Sequence, residues 1–199
     1  MIASIRTAPR AAVLPAVLPA VLAAALLAIP LATAPALASD WTVDQGASTL
    51  AFTARQNGSP LEGRFTDWSA EITLDPQALG EARIAANVGT ASATTGQPQV
   101  DGTLPGASWF DAAAHPQARF VSSEIVAVGD GRFEASGTLT LKGIEMPLTL
   151  PFSLEIDGDT ARAAAEVTLA RTAYEVGTDV GTDTVADGVT VTLEIVATR

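Results

Sequence analysis

The stretch LTLPFSLEI, Leu148 to Ile156, decides the fold. Leu148, Leu150, Phe152, Leu154 and Ile156 are apolar, while Thr149, Pro151, Ser153 and Glu155 between them are polar or turn-forming. A period of two is that of a strand with one buried and one wet face. The turn signal Asp157-Gly158-Asp159 ends the run. The same parity recurs before it, in Phe133, Ala135, Gly137, Leu139 and Leu141. It recurs after it, in Val189, Val191, Leu193, Ile195 and Ala197. Leu50, Phe52 and Ala54, then Ile72 and Leu74, then Ile84, Ala86 and Val88 extend it toward the N-terminus. About eight such strands, many longer than the usual five or six residues, predict an all-β chain. Long strands joined by tight turns, with hardly any helix, predict a single closed antiparallel β-barrel, which also removes the edges that invite aggregation.

Two segments depart from the alternation. Gln97 to Pro116 carries Pro98, Pro105 and Pro116 around Trp109 and Phe110, and reads as a crossover with a short helical turn. Gly177 to Gly188 is rich in Gly, Thr and Asp. No fixed-period repeat and no second domain are evident.

Residues 1–38 read differently from the rest. Arg6 and Arg10 precede an uncharged run from Ala11 to Ile29, and Ala36-Leu37-Ala38 forms the small-x-small pattern that signal peptidase cuts. A retained anchor is the alternative, since the run approaches the ~20 residues that span a bilayer. Pro15, Pro19 and Pro30 interrupt it, so residues 1–38 are read as a signal peptide and 39–199 as the mature domain, periplasmic or secreted. That domain holds nine Lys or Arg against 22 Asp or Glu. Such acidity repels phosphate and excludes nucleic acid as a partner.

The catalytic inventory is short. The chain has no Cys and one His, which removes thiolate chemistry, disulfides and most zinc sites. His115 stands alone before Pro116, and no Gly-x-Ser-x-Gly is present. Asp179, Asp183 and Asp187 are spaced by four, whereas an EF-hand-type calcium loop needs oxygens at alternate positions. No catalytic residue, metal or cofactor is therefore assigned.

The aromatics carry more information. All ten lie after residue 38, and many other inward positions are small: Ala54, Ala86, Ala135, Gly137 and Ala165. A barrel of eight strands is either filled by side chains or able to hold one apolar ligand. Parity places Phe52, Phe65, Phe120, Phe133, Leu139, Phe152 and Leu193 on inner faces as an apolar lining, with Trp109 and Phe110 at one end. Whether small residues leave the lumen open or pack against aromatics is not decided by pattern. Arg171 and Tyr174 open the Gly-rich stretch. There the arginine either pairs with an acid or, with the tyrosine, meets a ligand head group.

The chain resembles the YceI-like family of bacterial periplasmic lipid-binding barrels. Trp41-Thr42-Val43-Asp44 with Ser48, Leu50 and Phe52 is similar to its first-strand signature. Gly63-Arg64-Phe65 with Ile72 and Asp75-Pro76 resembles its glycine–phenylalanine strand pair. Asp101, Leu104, Trp109-Phe110-Asp111, Pro116 and Phe120 resemble its crossover. Gly137-Thr138-Leu139-Thr140-Leu141-Lys142-Gly143 and Arg171-Thr172-Ala173-Tyr174 with Gly177 resemble its later motifs. Arg55-Gln56 stands where many members carry His, and Tyr174 replaces the usual Phe. The Gly58-to-Phe65 version resembles a branch found alone or beside di-haem cytochrome b domains. The resemblance implies a lipocalin-like barrel whose elongated apolar pocket holds a polyisoprenoid, an isoprenoid quinone or a fatty-acid derivative, with no catalytic role. A dry-cored structural or partner module is the alternative reading, and a lipid-modifying enzyme a further one. A transient membrane or cytochrome b partner and a homodimer stay open at this level.

Overall fold

The computed structural model describes residues 39–199. The signal peptide read over residues 1–38 lies outside the described residues. The described chain forms one antiparallel sheet of eleven strands: β1 (Asp40–Val43), β2 (Thr49–Gln56), β3 (Ser59–Phe65), β4 (Trp68–Thr73), β5 (Arg83–Gly89), β6 (Ala93–Thr94), β7 (Gln117–Gly129), β8 (Arg132–Leu141), β9 (Ile144–Asp157), β10 (Thr160–Ala170) and β11 (Gly188–Thr198).

Eleven segments make an eight-stranded barrel because three barrel strands are each broken once. β1 and β2 lie end to end along one edge of β11, in the registers Val43↔Ala197 and Leu50↔Leu193. Across the break the Asp44 amide donates to the Val196 carbonyl at 2.8 Å, and the Ser48 hydroxyl accepts from the Val196 amide at 2.9 Å. The serine thus replaces a backbone rung. β3 pairs with β2 and β6, while β4 pairs with β1 and β5, so β3–β4 and β5–β6 form the next two strands. Their breaks face each other: the Gly89 amide donates to Asp67 at 2.8 Å. β5 pairs with β7, the remaining strands follow as a meander, and β11 closes on β1 and β2. The predicted closed barrel is the one observed.

Alternation decides which side chains meet inside. Toward one end Trp41, Leu74, Phe120, Ile125, Phe133, Ala135, Phe152, Ala161 and Ala197 are buried together. The Phe133 and Phe152 rings stack there at 5.4 Å. Trp41 closes this base: its indole Nε1–H donates to the Leu74 carbonyl at 2.9 Å, and the Arg199 guanidinium lies 5.0 Å over the ring. At the other end the crossover between β6 and β7, with the one-turn helix Pro98–Asp101, packs its Leu104 against Phe52 and Ala93.

One neighbouring pair is incomplete. β10 pairs with β11 along its whole length, Thr160 to Ala170. Against β9 it pairs only from Thr160↔Asp157 to Ala165↔Phe152. Beyond that point the β9–β10 wall has no backbone ladder.

Candidate functional site

The lumen holds two connected chambers. The one under the crossover has a volume of about 500 Å³, and the one toward the base about 190 Å³. Leu50, Val88, Leu139, Leu169 and Val191 line both, forming an aliphatic waist. Every residue of the base chamber is aliphatic or aromatic. Seven alanines, Ala70, Ala86, Ala161, Ala163, Ala164, Ala165 and Ala197, give it room where larger side chains would fill the barrel.

The apolar residues named from parity and from the crossover divide between the chambers. Phe52, Phe65, Trp109, Phe110 and Leu139 line the crossover chamber; Phe120, Leu139, Phe152 and Leu193 line the base chamber. Phe65 links Phe52 (5.4 Å, tilted) to Phe110 (5.9 Å, edge-on), so one aromatic cluster runs from barrel wall to cap. Phe133 is the correction. It shares the inward parity but lines neither chamber, because it is stacked on Phe152 in the packed base. Ala135 is likewise fully buried in that base and lines neither chamber.

Arg171 takes neither of the roles weighed for it. It is 4% exposed and has no carboxylate within ion-pair distance among the described residues. All its N–H groups donate to backbone carbonyls of the Gly-rich stretch. Nη1 reaches Val176 (2.8 Å) and Gly177 (2.7 Å), and Nη2 reaches Val180 (2.9 Å) and Val185 (2.7 Å). Nε–H is shared by Val185 (3.3 Å) and Ala186 (3.2 Å). Five donors in a rigid fork suit an irregular loop that has no ladder of its own. Residues 176–186 are thereby folded around the guanidinium, which has no N–H left for a ligand. Gly177, with φ +69°, completes the knot: a Cβ there would lie 2.9 Å from Arg171 Nη1 and 3.2 Å from the Trp109 ring. Its amide donates to the Ser108 carbonyl at 2.7 Å, which ties this loop to the crossover.

Tyr174 follows on the 3₁₀ turn Arg171–Tyr174. Its side chain is 4% exposed and lines the crossover chamber, and burial pushes its hydroxyl pKa up, keeping it neutral. Among the described residues its hydroxyl has no hydrogen-bond partner, unlike the lining hydroxyls of Thr90, Thr95 and Thr103, which bond His115, Asp101 and Val100. The exposed Asp179 stands at the same end.

Two carboxylates that pattern reading did not assign hold the cap. Asp101 accepts the Thr95 amide (2.6 Å) and the hydroxyls of Thr94 and Thr95 (both 2.7 Å). Asp187 accepts the Thr172 hydroxyl (2.7 Å) and amide (2.9 Å). The Thr95 amide chiefly, and the Thr172 hydroxyl chiefly, hold these two carboxyls below the usual carboxylate range. The crossover motif includes Asp101 without assigning it a role, and the Thr-Thr before the crossover and the Thr after Arg171 are the trace of these contacts. His115 is half-buried beside Gly143, and its carbonyl accepts the Thr90 hydroxyl at 2.7 Å.

Comparison with known proteins places this architecture. The YceI-like domain model matches residues 41–197. A UPF0312 protein of Vibrio cholerae is 33% identical over 118 residues, which cover 58% of this chain and 62% of that protein. Burkholderia cenocepacia BcnA, a solved structure, is 32% identical with a TM-score of 0.75, covering 79% of this chain and all of BcnA. A structure from Saccharophagus degradans, described as a polyisoprenoid binding domain, shares the fold at 16% identity and TM-score 0.63, covering 81% of this chain and 99% of that one.

Replacing Arg171 by Met should cost at least about 2 kcal/mol, since each buried carbonyl left without a donor costs about 1–3. Lys should restore less than half of that loss, because one ammonium cannot span five acceptors. Urea denaturation measures the cost, and limited proteolysis should cut within residues 176–186 first. Acid should loosen the cap in a defined direction. Both lowered carboxyls contribute fully above the unfolded value of about 4 and lose that contribution as pH falls through their lower folded values. Amide exchange, corrected for its intrinsic pH dependence, should rise around Thr95 and Thr172 below about pH 4. The Asp101→Asn and Asp187→Asn variants should show it already at neutral pH.

Proposed function

The chain belongs to the YceI-like domain family, and on that premise we propose that it is a carrier enclosing one long apolar molecule, an isoprenoid or other long-chain lipid, in its barrel. One observation carries the reading: a continuous two-chamber lumen whose inner chamber has no polar lining. The crossover chamber falls within the ~300–1,000 Å³ of ligand pockets. Each buried methylene contributes about 0.8 kcal/mol, so a tail alone supplies affinity without polar chemistry. The polyisoprenoid-binding description of the Saccharophagus degradans domain, with which the fold is shared, agrees with this choice. Catalysis fits less well. The titratable lining groups are Asp179, Tyr174 and Arg171, and the last is fully committed to the loop. A dry-cored module fits less well still, because the alanines leave space. On the export reading of residues 1–38 the carrier works in the periplasm or is secreted.

The head group in this reading is uncharged. It lies under the crossover, where the Tyr174 hydroxyl is free to bond it. An anionic head would find Asp179 and an arginine without donors. Geranylgeraniol should therefore bind more tightly than geranylgeranyl diphosphate by tryptophan quenching. Tyr174→Phe should weaken the alcohol by about 3–10-fold, the worth of one neutral hydrogen bond. Stronger binding of the diphosphate would reject the uncharged head while leaving the carrier in place.

The carrier itself is tested by filling the lumen. Ala163 lines the base chamber, whereas Ala135 is packed. In Ala163→Trp, solvent extraction and mass spectrometry should recover little lipid, with a small change in melting temperature. Ala135→Trp should lose stability by about 1–3 kcal/mol or more, as overpacked cores do. Lipid in neither wild type nor variant, from protein purified without detergent, would remove the carrier reading.

A further inference from the structure

We propose that the ligand's hydrocarbon chain enters through the barrel wall between β9 and β10; this entry site rests on the carrier reading above. β9 pairs with β8 from Ile144 to Ser153, yet pairs with β10 only from Phe152 onward. The reason lies in two prolines. The Leu154 amide donates toward β8, to Gly131 at 2.8 Å. Residues of the opposite parity therefore aim their amides at β10, and these include Pro147 and Pro151, which have none. A strand tolerates proline only where the missing donor faces an unpaired edge. With two of its donors gone, β9 cannot continue the ladder, and Glu166–Ala170 of β10 is left without a strand partner on that side.

The unzipped stretch lies where a chain would need to pass. Leu148 and Leu150 on one lip, and Val167 and Leu169 on the other, line the base chamber. Leu169 also lines the crossover chamber, so the seam reaches the waist between them. Outside, Pro151 and Glu166 border a surface groove that shares Ala164 and Ala165 with the base chamber. The other route, under the crossover, is latched: the Ser108 carbonyl accepts from Gly177 and Thr178, and Arg171 holds the loop that bears them. A hydrocarbon needs no polar partner while crossing a lip of Leu and Val. A β-strand from a partner cannot ladder onto this edge of β9, whose donors at 147 and 151 the prolines remove.

Because the chain has no native Cys, each route can be clamped alone. Thr149→Cys with Thr168→Cys, joined by a short bis-maleimide that adds to both thiols, closes the seam, and neither side chain lines a chamber. Ser108→Cys with Thr178→Cys closes the cap. Retinol is the probe, followed by stopped-flow energy transfer from Trp68 and Trp109. The seam clamp should slow retinol association and dissociation by at least about tenfold with little change in Kd, as a gate does. The cap clamp should leave both rates near wild type. Pro147→Thr with Pro151→Thr restores the missing donors and should slow exchange in the same sense without a linker. Unchanged rates in both seam variants, or slowing by the cap clamp instead, would overturn the entry site while leaving the carrier intact. Dimerisation of the wild type that the seam clamp abolishes would overturn it in favour of a second copy on the β10 edge. No retinol binding to wild type would overturn the entry site together with the carrier.

Discussion

An eight-stranded barrel encloses a volume that inward side chains must fill or leave open, and in this chain the inward alanines of β4, β5, β10 and β11 leave it open. That constraint organises the rest of the molecule. The base must be sealed, and Trp41 with its bond to Leu74 and the stacked Phe133 and Phe152 seals it. The far end must be covered without a strand, and the crossover with its Phe65–Phe110 contact covers it. What remains between plug and cap is a lumen of Leu, Val, Phe and Ala, which offers a guest dispersion and dehydration but little polar recognition.

The cap shows how a buried cation can be structural without an ion pair. Arg171 is solvated by the carbonyls of the loop it folds, and its charge reaches Asp187 only at a distance. The same contacts that order residues 176–186 withdraw the guanidinium from ligand chemistry. Among the described residues Tyr174 is then the one buried lining residue whose polar atom has no partner, which is why the head-group reading passes from the arginine to the tyrosine.

Much of this was legible from residues 40–199, and the rest failed for physical reasons. Period-two alternation is imposed by the pleat, so strands, turns and most lining residues follow from it. The motifs at Trp41, Trp109-Phe110 and Arg171 point to the family because their contacts close the two ends. Parity cannot separate Ala135 from Ala163. Both face inward, and only the height of Phe133 and Phe152 in the barrel makes one packed and the other open. The partners of Arg171 are backbone carbonyls, which leave no trace in residue identity, and those of Asp101 are the Thr95 amide and two threonine hydroxyls that no spacing rule singles out. Pro151 inside an alternating run argues against a central strand; the structure resolves this by giving β9 one paired edge and one partly free edge.

Anomalous diffraction from crystals grown with a long-chain alcohol brominated at its far end tests the central claim most directly. The account predicts one bromine peak inside the base chamber, among Ile72, Ala163 and Ile195, with density for the hydroxyl at Tyr174. No bromine in the lumen, with the interior collapsed or the alcohol on the outer surface only, would contradict it.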